Sequence, residues 1–231
     1  MTRKLWRPVS LSAVAMASLP MLASAAGTAT IEGKSMSDGP ITIMWQDDGA
    51  LRINPDPNAP ENYMIVRDGK VYNVSRGDGK PMVMEVGGML KAFGAMAADS
   101  QKGEQAIPAG IESVEATGKS ETVAGIEGHV YKVTTVNADG TKKTGEVVLS
   151  SDPRATEMTE MYMTTMLSIF AQSDPQAILD ALPDDERGML RYDQDYYLTS
   201  ISGDAPAADQ FKLPAKPTNL ADMLKNLQLG K

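Results

Sequence analysis

Five Asp-Gly dipeptides, at 38–39, 48–49, 68–69, 78–79 and 139–140, constrain the fold of this 231-residue chain more than any other feature. Asp-Gly favours the two-residue type I′ turn, which needs positive φ at both central positions and joins antiparallel strands. A chain punctuated this often by tight turns reads as an antiparallel meander and not as parallel βαβ units. The runs between the turns agree. Residues 41–46 set Ile41, Ile43 and Trp45 against Thr42, Met44 and Gln46, a period of two. Residues 51–53, 63–66 and 71–75 read as further strands, and 28–31 as an edge strand. The prolines between 54 and 62 mark a loop.

The stretch 119–150 is expected to be a long antiparallel hairpin near the middle of a strongly curved sheet. Its β-rich runs, 129–136 and 146–150, flank a turn at Asn137-Ala138-Asp139-Gly140. Residues 111–118 lead into it, and 188–192 and 195–202 close the sheet. Helical spacing appears elsewhere. Met82, Val86, Met89, Leu90, Phe93 and Ala97 predict a helix over 81–97, weakened at Gly87-Gly88. Asp152-Pro153 and Asp174-Pro175 are helix starts, an N-cap type followed by proline at the first helical position. The first helix is expected to reach about residue 171, with Met158, Met161, Tyr162, Met166, Ile169 and Phe170 as its apolar stripe. The second is shorter and ends at Pro183. Thr218 can cap a last helix carrying Leu220, Met223, Leu224 and Leu227. The expected fold class is α+β, a strongly curved antiparallel sheet with amphipathic helices covering its concave face.

Residues 1–25 have the tripartite pattern of a cleavable secretory signal: Arg3, Lys4 and Arg7, an apolar run, then Ala23-Ser24-Ala25. The run is short and broken by Pro20, so it is not expected to anchor the chain in a bilayer. The expected organisation is a signal over 1–25 and a single domain over 26–231, exported to the periplasm. The chain carries a net charge of −8, and losing those three basic residues makes it −11. So acidic a chain is a poor partner for nucleic acid or anionic lipid. No cysteine is present, which excludes disulfides, thiolate metal sites, a cysteine nucleophile and a lipid-attachment cysteine.

Enzyme signatures are scarce. His129 is the only histidine, so a His-containing triad or multi-His metal site has no other members, and the reading is structural. Asp184-Asp185-Glu186 and the pair Asp193 and Asp195 match no calcium loop and read as solvated turns. Gly77-Asp78-Gly79-Lys80 lacks the spacing of a phosphate loop. No catalytic residue, cofactor or metal ligand is assigned, and the chain is expected not to be an enzyme.

The sixteen methionines are the anomaly. Met82-Val83-Met84 and Met161-Tyr162-Met163 are M-x-M pairs, and thioethers suit Cu(I). Both pairs fall in predicted helices, where residues two apart point to different faces and would not clamp one ion. Methionine is also over-used on apolar surfaces that adapt to varied partners.

The order of pieces resembles a known family. Ile43-Met44-Trp45, Arg52-Ile53, the 63–75 hairpin and a methionine-rich helix come first. Glu121-Thr122-Val123-Ala124-Gly125, Val130-Tyr131-Lys132-Val133 and Glu146-Val147-Val148-Leu149-Ser150 follow. Gly188-Met189-Leu190-Arg191, 197–202 and Phe211-Lys212-Leu213-Pro214-Ala215 close the run. This is similar to the DUF4412 family of bacterial envelope proteins, and through it to LolA/LolB-like lipoprotein-localisation folds. The resemblance implies a half-open β-barrel with helices at its mouth, whose concave face in that group holds lipoprotein acyl chains. Arg52 is the nearest counterpart of the carrier's ligand-gating arginine. The expected function is non-enzymatic binding of a hydrophobic ligand, a lipid or lipoprotein acyl chain, or of an apolar segment of an envelope protein. The expected lining is Met89, Phe93, Met158, Met161, Tyr162 and Met166. The alternatives are a Cu(I)-binding protein using methionine thioethers and a structural or interaction protein with a filled barrel.

Overall fold

The computed structural model describes residues 26–34, 39–90, 108–137, 139–170 and 174–219, with Ile169 and Phe170 described by backbone alone. The first six strands form one meander: β1 (Gly27–Glu32), β2 (Ile41–Trp45), β3 (Leu51–Asn54), β4 (Tyr63–Arg67), β5 (Lys70–Gly77) and β6 (Lys80–Glu85). A second meander holds β7 (Gly110–Val123), β8 (Ile126–Val136), β9 (Lys142–Ser150), β10 (Gly188–Tyr192) and β11 (Tyr196–Ser202). Two helices, α1 (Pro153–Phe170) and α2 (Pro175–Asp180), lie between β9 and β10. The two meanders join where β1 pairs with β11, giving one open sheet in the order β6-β5-β4-β3-β2-β1-β11-β10-β9-β8-β7. Every neighbouring pair in it is antiparallel.

The turns explain the meanders. Asp68 and Gly69 take φ of 52° and 69°, and Asp78 and Gly79 take 50° and 76°, so both pairs make the expected two-residue hairpins. Gly49 and Gly140 also take positive φ, at 80° and 82°, in loops that are longer. A further tight turn uses Ala124 (φ 51°) and Gly125 (φ 78°), so β7 continues past the predicted end at 118 to Val123.

The hairpin at Asp78-Gly79 overturns the predicted helix over 81–97. It sends Lys80–Glu85 back along β5, with Gly77 opposite Lys80 and Tyr72 opposite Glu85. Val83 then buries beside Tyr72 and Val74, while Met82 is 49 % exposed. Strand pairing to an existing edge outweighs the helical periodicity, and helical backbone begins only at Gly87. Residues 91–97 lie outside the described residues, as does the predicted helix beyond Thr218, residues 220–231.

The sheet curls around one apolar face. Val123, Ile126, Val130, Val148, Leu190, Tyr196, Leu198, Ile31, Ile43, Trp45, Leu51 and Ile53 belong to a single buried cluster with Ala155 and Met158 of α1. Laid flat, strands from β7 to β3 would span about 34 Å, whereas a helix with its side chains is about 10 Å across. Curvature brings them together, and β7 comes back to touch β11.

The outer face of β4–β6 is covered by the chain after β11. A 3₁₀ turn, Ala208–Phe211, packs on β3, and Leu213 and Ala215 pack on Tyr72, Val74 and Val83. Thr218 then lies parallel to β6. Its N–H donates to the Val83 carbonyl and its own carbonyl accepts from Glu85 N–H, both at 2.9 Å. This covers part of an edge that would otherwise present unpaired backbone groups.

Candidate functional site

The inner face is organised by α1. Asp152 starts the helix as expected: its Oδ1 accepts from the backbone N–H of Arg154 at 3.0 Å, and Pro153 follows. The Arg154 guanidinium closes on the same carboxylate at 3.0 and 2.7 Å, which holds Asp152 below the usual carboxylate range. The helix packs against β10, β1 and β11. Two contacts set its depth. Gly188 lies under it so closely that a Cβ there would stand 2.8 Å from Ala155 Cβ. The buried Thr159 hydroxyl accepts the Met189 N–H at 2.8 Å.

Four of the six predicted lining residues lie on this helix and meet the core. Met158 is fully buried, and Met161, Tyr162 and Met166 pack half-buried against the same cluster. Met166 also packs on Val71 and Val86, together with Met89, Met64, Met84 and Leu90. Met89 and Met166 thus pack on the same two valines, and Phe93 lies outside the described residues. Met64 and Met84 are members that the sequence reading missed. Met84 was placed in a helix, whereas in β6 it shares a face with Met82 because side chains alternate along a strand. The expectation that Met82 and Met84 point to different faces is corrected accordingly. Met161 and Met163 do lie on a helix.

The main cluster also holds aromatic groups with polar ends. Trp45 is 0 % exposed and its ring lies over Gly27, where a Cβ would stand 2.5 Å from Cζ2. Among the described residues its indole N–H finds no acceptor. An unmet buried donor costs about 1–3 kcal/mol, and tryptophan N–H groups usually find a partner when buried. Among the described residues Tyr196 donates only to Met158 Sδ, at 3.8 Å, and a thioether is a weak acceptor. Burial raises Tyr196 far above the ordinary phenol range and pushes Tyr162 up to about 12, so both stay protonated O–H donors at neutral pH. Trp45 was legible as part of an apolar face, and Tyr196 as an alternating strand residue. Their membership of one buried cluster with Ala155 and Met158 of α1 was not.

Arg52 stands elsewhere. It pairs with Met44 and Ile65, on the face opposite Ile43 and Ile53. Its guanidinium lies 3.6 Å from the Tyr63 ring centroid and donates to Asn54 Oδ1 at 2.9 Å and the Gln210 carbonyl at 3.0 Å. It fastens the 3₁₀ turn to the outer face and does not reach the α1 side. His129 is exposed on β8, with Nδ1 against Glu186 Oε1, and Tyr131 donates to Glu186 Oε2 at 2.8 Å. The Glu186 side chain is only 15 % exposed, so the expected solvated acidic turn is pinned to the outer face of β8. Asp193 Oδ1 accepts the Glu146 N–H at 2.8 Å, and Asp195 pairs with Lys143 at 3.3 Å. Among the described residues no helix is long and apolar enough to cross a membrane.

No family model matches the chain, nor does any curated protein or solved structure.

Proposed function

We propose that this is a non-enzymatic periplasmic binding protein that takes a hydrophobic ligand, an acyl chain, between α1 and the inner face of a half-open, LolA-like sheet. The observation that carries the reading is the gathering of flexible thioether side chains over one apolar face. Met158, Met161 and Met166 from α1 and Met64 from β4 pack on the main core cluster. Methionine has an unbranched, polarizable side chain that repacks around varied apolar partners. The resemblance to DUF4412 and LolA-like proteins points the same way. Native mass spectrometry of protein purified from the periplasm without detergent, with fluorescent fatty acid uptake, is the test. Co-purified lipid or saturable uptake is expected. Ligand-free spectra with no uptake would leave an occupied, purely structural interior.

A second reading is favoured by one arrangement. Met64, Met84, Met89 and Met166 come from four separate segments to the same two valines, Val71 and Val86. Thioethers gathered in this way suit Cu(I). Titration with Cu(I) against a competing chelator decides it, because a thioether site would retain the ion and a core cluster would release it.

A further inference from the structure

We propose that the outer face of β3–β6 is a groove for an extended segment, and that it takes residues 208–218 from a second copy of this chain as well as from its own. The two copies exchange these segments reciprocally about a two-fold axis, which closes the assembly at a dimer. The groove lies on the face opposite the acyl site proposed above, so the two readings stand or fall separately.

The seated segment shows how the groove reads its occupant. Phe211 is buried and Leu213, Ala215 and Pro217 are half-buried, while the residues between them are exposed. Leu213 and Ala215 pack on Tyr72, Val74 and Val83. The polar groups of the groove go to main-chain atoms. Arg52 donates to the Gln210 carbonyl at 3.0 Å and Arg67 to the Phe211 carbonyl at 3.4 Å. The edge of β6 exchanges two bonds of 2.9 Å with Thr218. Backbone bonds for affinity and alternate side chains for specificity are how a sheet edge binds an extended peptide. The occupant must set an aromatic residue, a leucine and an alanine at steps of two, with two carbonyls free for the arginines. The same segment of another copy meets each requirement.

The position of the segment opens it to exchange. It follows the last strand, so it can leave while the eleven-stranded sheet stays complete. Its departure bares Val83 and the edge of β6, and a bare edge is a template for another chain. Residues 203–207 join the segment to β11. Four of these five are exposed, and Gln46 Nε2 reaches the Pro206 carbonyl at a long 3.4 Å. Fully extended, five residues reach about 17 Å. The segment is also cationic, with Lys212 and Lys216 against Asp209, on a chain whose net charge is −8. Exchange rebuilds every groove contact and alters the linker alone, so concentration decides the balance. A short linker holds its segment at an effective concentration of about 1 mM. The monomer prevails well below that value, and exchange sets in near it.

The absence of native cysteine makes the test direct. Met84 and Thr218 are partners in the bridge between β6 and the segment. Met84→Cys and Thr218→Cys are made in separate full chains, unfolded in urea, refolded together near about 1 mM, and oxidised. The mixed disulfide dimer is expected to exceed either like-with-like dimer several-fold. Like and mixed dimers in the proportions of random collision, or no covalent dimer, overturn the exchange. A labelled peptide of residues 206–219 tests the groove without thiols. Thr218→Pro removes one backbone donor from the chain's own segment, so this variant should bind the peptide about tenfold tighter than the unaltered chain, the worth of one hydrogen bond. Adding Arg52→Ala should weaken the peptide again. Peptide binding that neither substitution changes, or no binding to either chain, overturns the groove.

Discussion

Arg191 on β10 holds Glu121 on β7 across two intervening strands, with Nε and Nη2 donating to the two carboxylate oxygens at 3.0 and 2.9 Å. Glu121 stands two residues before Val123 and so faces the α1 side of the sheet. Strands three places apart can be joined by side chains only because the sheet curls, and this pair fastens the curl.

The pair can be broken without touching the core. Arg191 is 15 % exposed, and bidentate charge-assisted bonds of this kind are stronger than surface pairs. Arg191→Met should lower stability by about 1–3 kcal/mol in urea unfolding. Amide exchange should quicken in β7 near Glu121 and stay slow in β8 and β9. Uniform quickening across the sheet would mean that the pair is not a local fastening.

Gly188→Ala tests how α1 is seated. The new methyl would meet Ala155 Cβ at 2.8 Å, Ser150 O at 2.9 Å and Thr156 N at 2.9 Å. Two of these atoms are backbone, so the helix must lift. A loss of about 1–3 kcal/mol is expected, the usual cost of overpacking. The denaturant midpoint should fall with little change in slope. Adding Ala155→Gly should recover part of the loss, because it removes one of the three contacts.

Met158 and Tyr196 touch, yet their truncations should differ. Met158→Ala leaves a hole in the main cluster and should cost about 2–5 kcal/mol. Tyr196→Phe gives up only the weak bond to sulfur and should stay within about 1 kcal/mol. Thermal melts of the two variants check the contrast. A large loss in Tyr196→Phe would show that the hydroxyl already has a strong partner.

Alkaline pH should weaken the fold in a defined window. Burial, aided by the Glu186 carboxylate, raises Tyr131 to about 12, and burial raises Tyr162 to about 12 and Tyr196 further. Unfolded tyrosine titrates near 10. The folded state keeps protons that the unfolded state loses, so stability is fully present below pH of about 10 and falls as pH rises towards about 12. Phenolate absorbance should therefore appear together with loss of tertiary signal for these residues. Full ionisation of all tyrosines near pH 10 in a folded protein would contradict the buried geometry.

Local chemistry carried much of the fold. Asp68-Gly69 and Asp78-Gly79 state their turns, and Asp152-Pro153 and Asp174-Pro175 state their helix starts, because backbone conformation and capping are decided within a few residues. The turn at Ala124-Gly125 was hidden, since alanine seldom accepts positive φ. The strand at Lys80–Glu85 was hidden for another reason. Its methionines fit a helix, and the partner that decides the matter, β5, acts through the sheet edge. For the candidate site, the stripe on α1 was visible as periodicity. Met64 and Met84, the unmet donor on Trp45 and the nearness of Tyr162 to Tyr196 depend on how distant segments curl together.

The junction of β1 with β11 has a consequence for folding kinetics. Thr28 faces Ser202, so the sheet is completed by strands near opposite ends of the described chain. Such non-local pairing implies high contact order and folding on a scale of about milliseconds to seconds. Until Tyr196–Ser202 arrives, β1 has β2 on one side and a bare edge on the other. That interval is when the chain is open to pairing with a second copy of itself. Chains ending before β11 should aggregate through β1, even with the whole first meander intact.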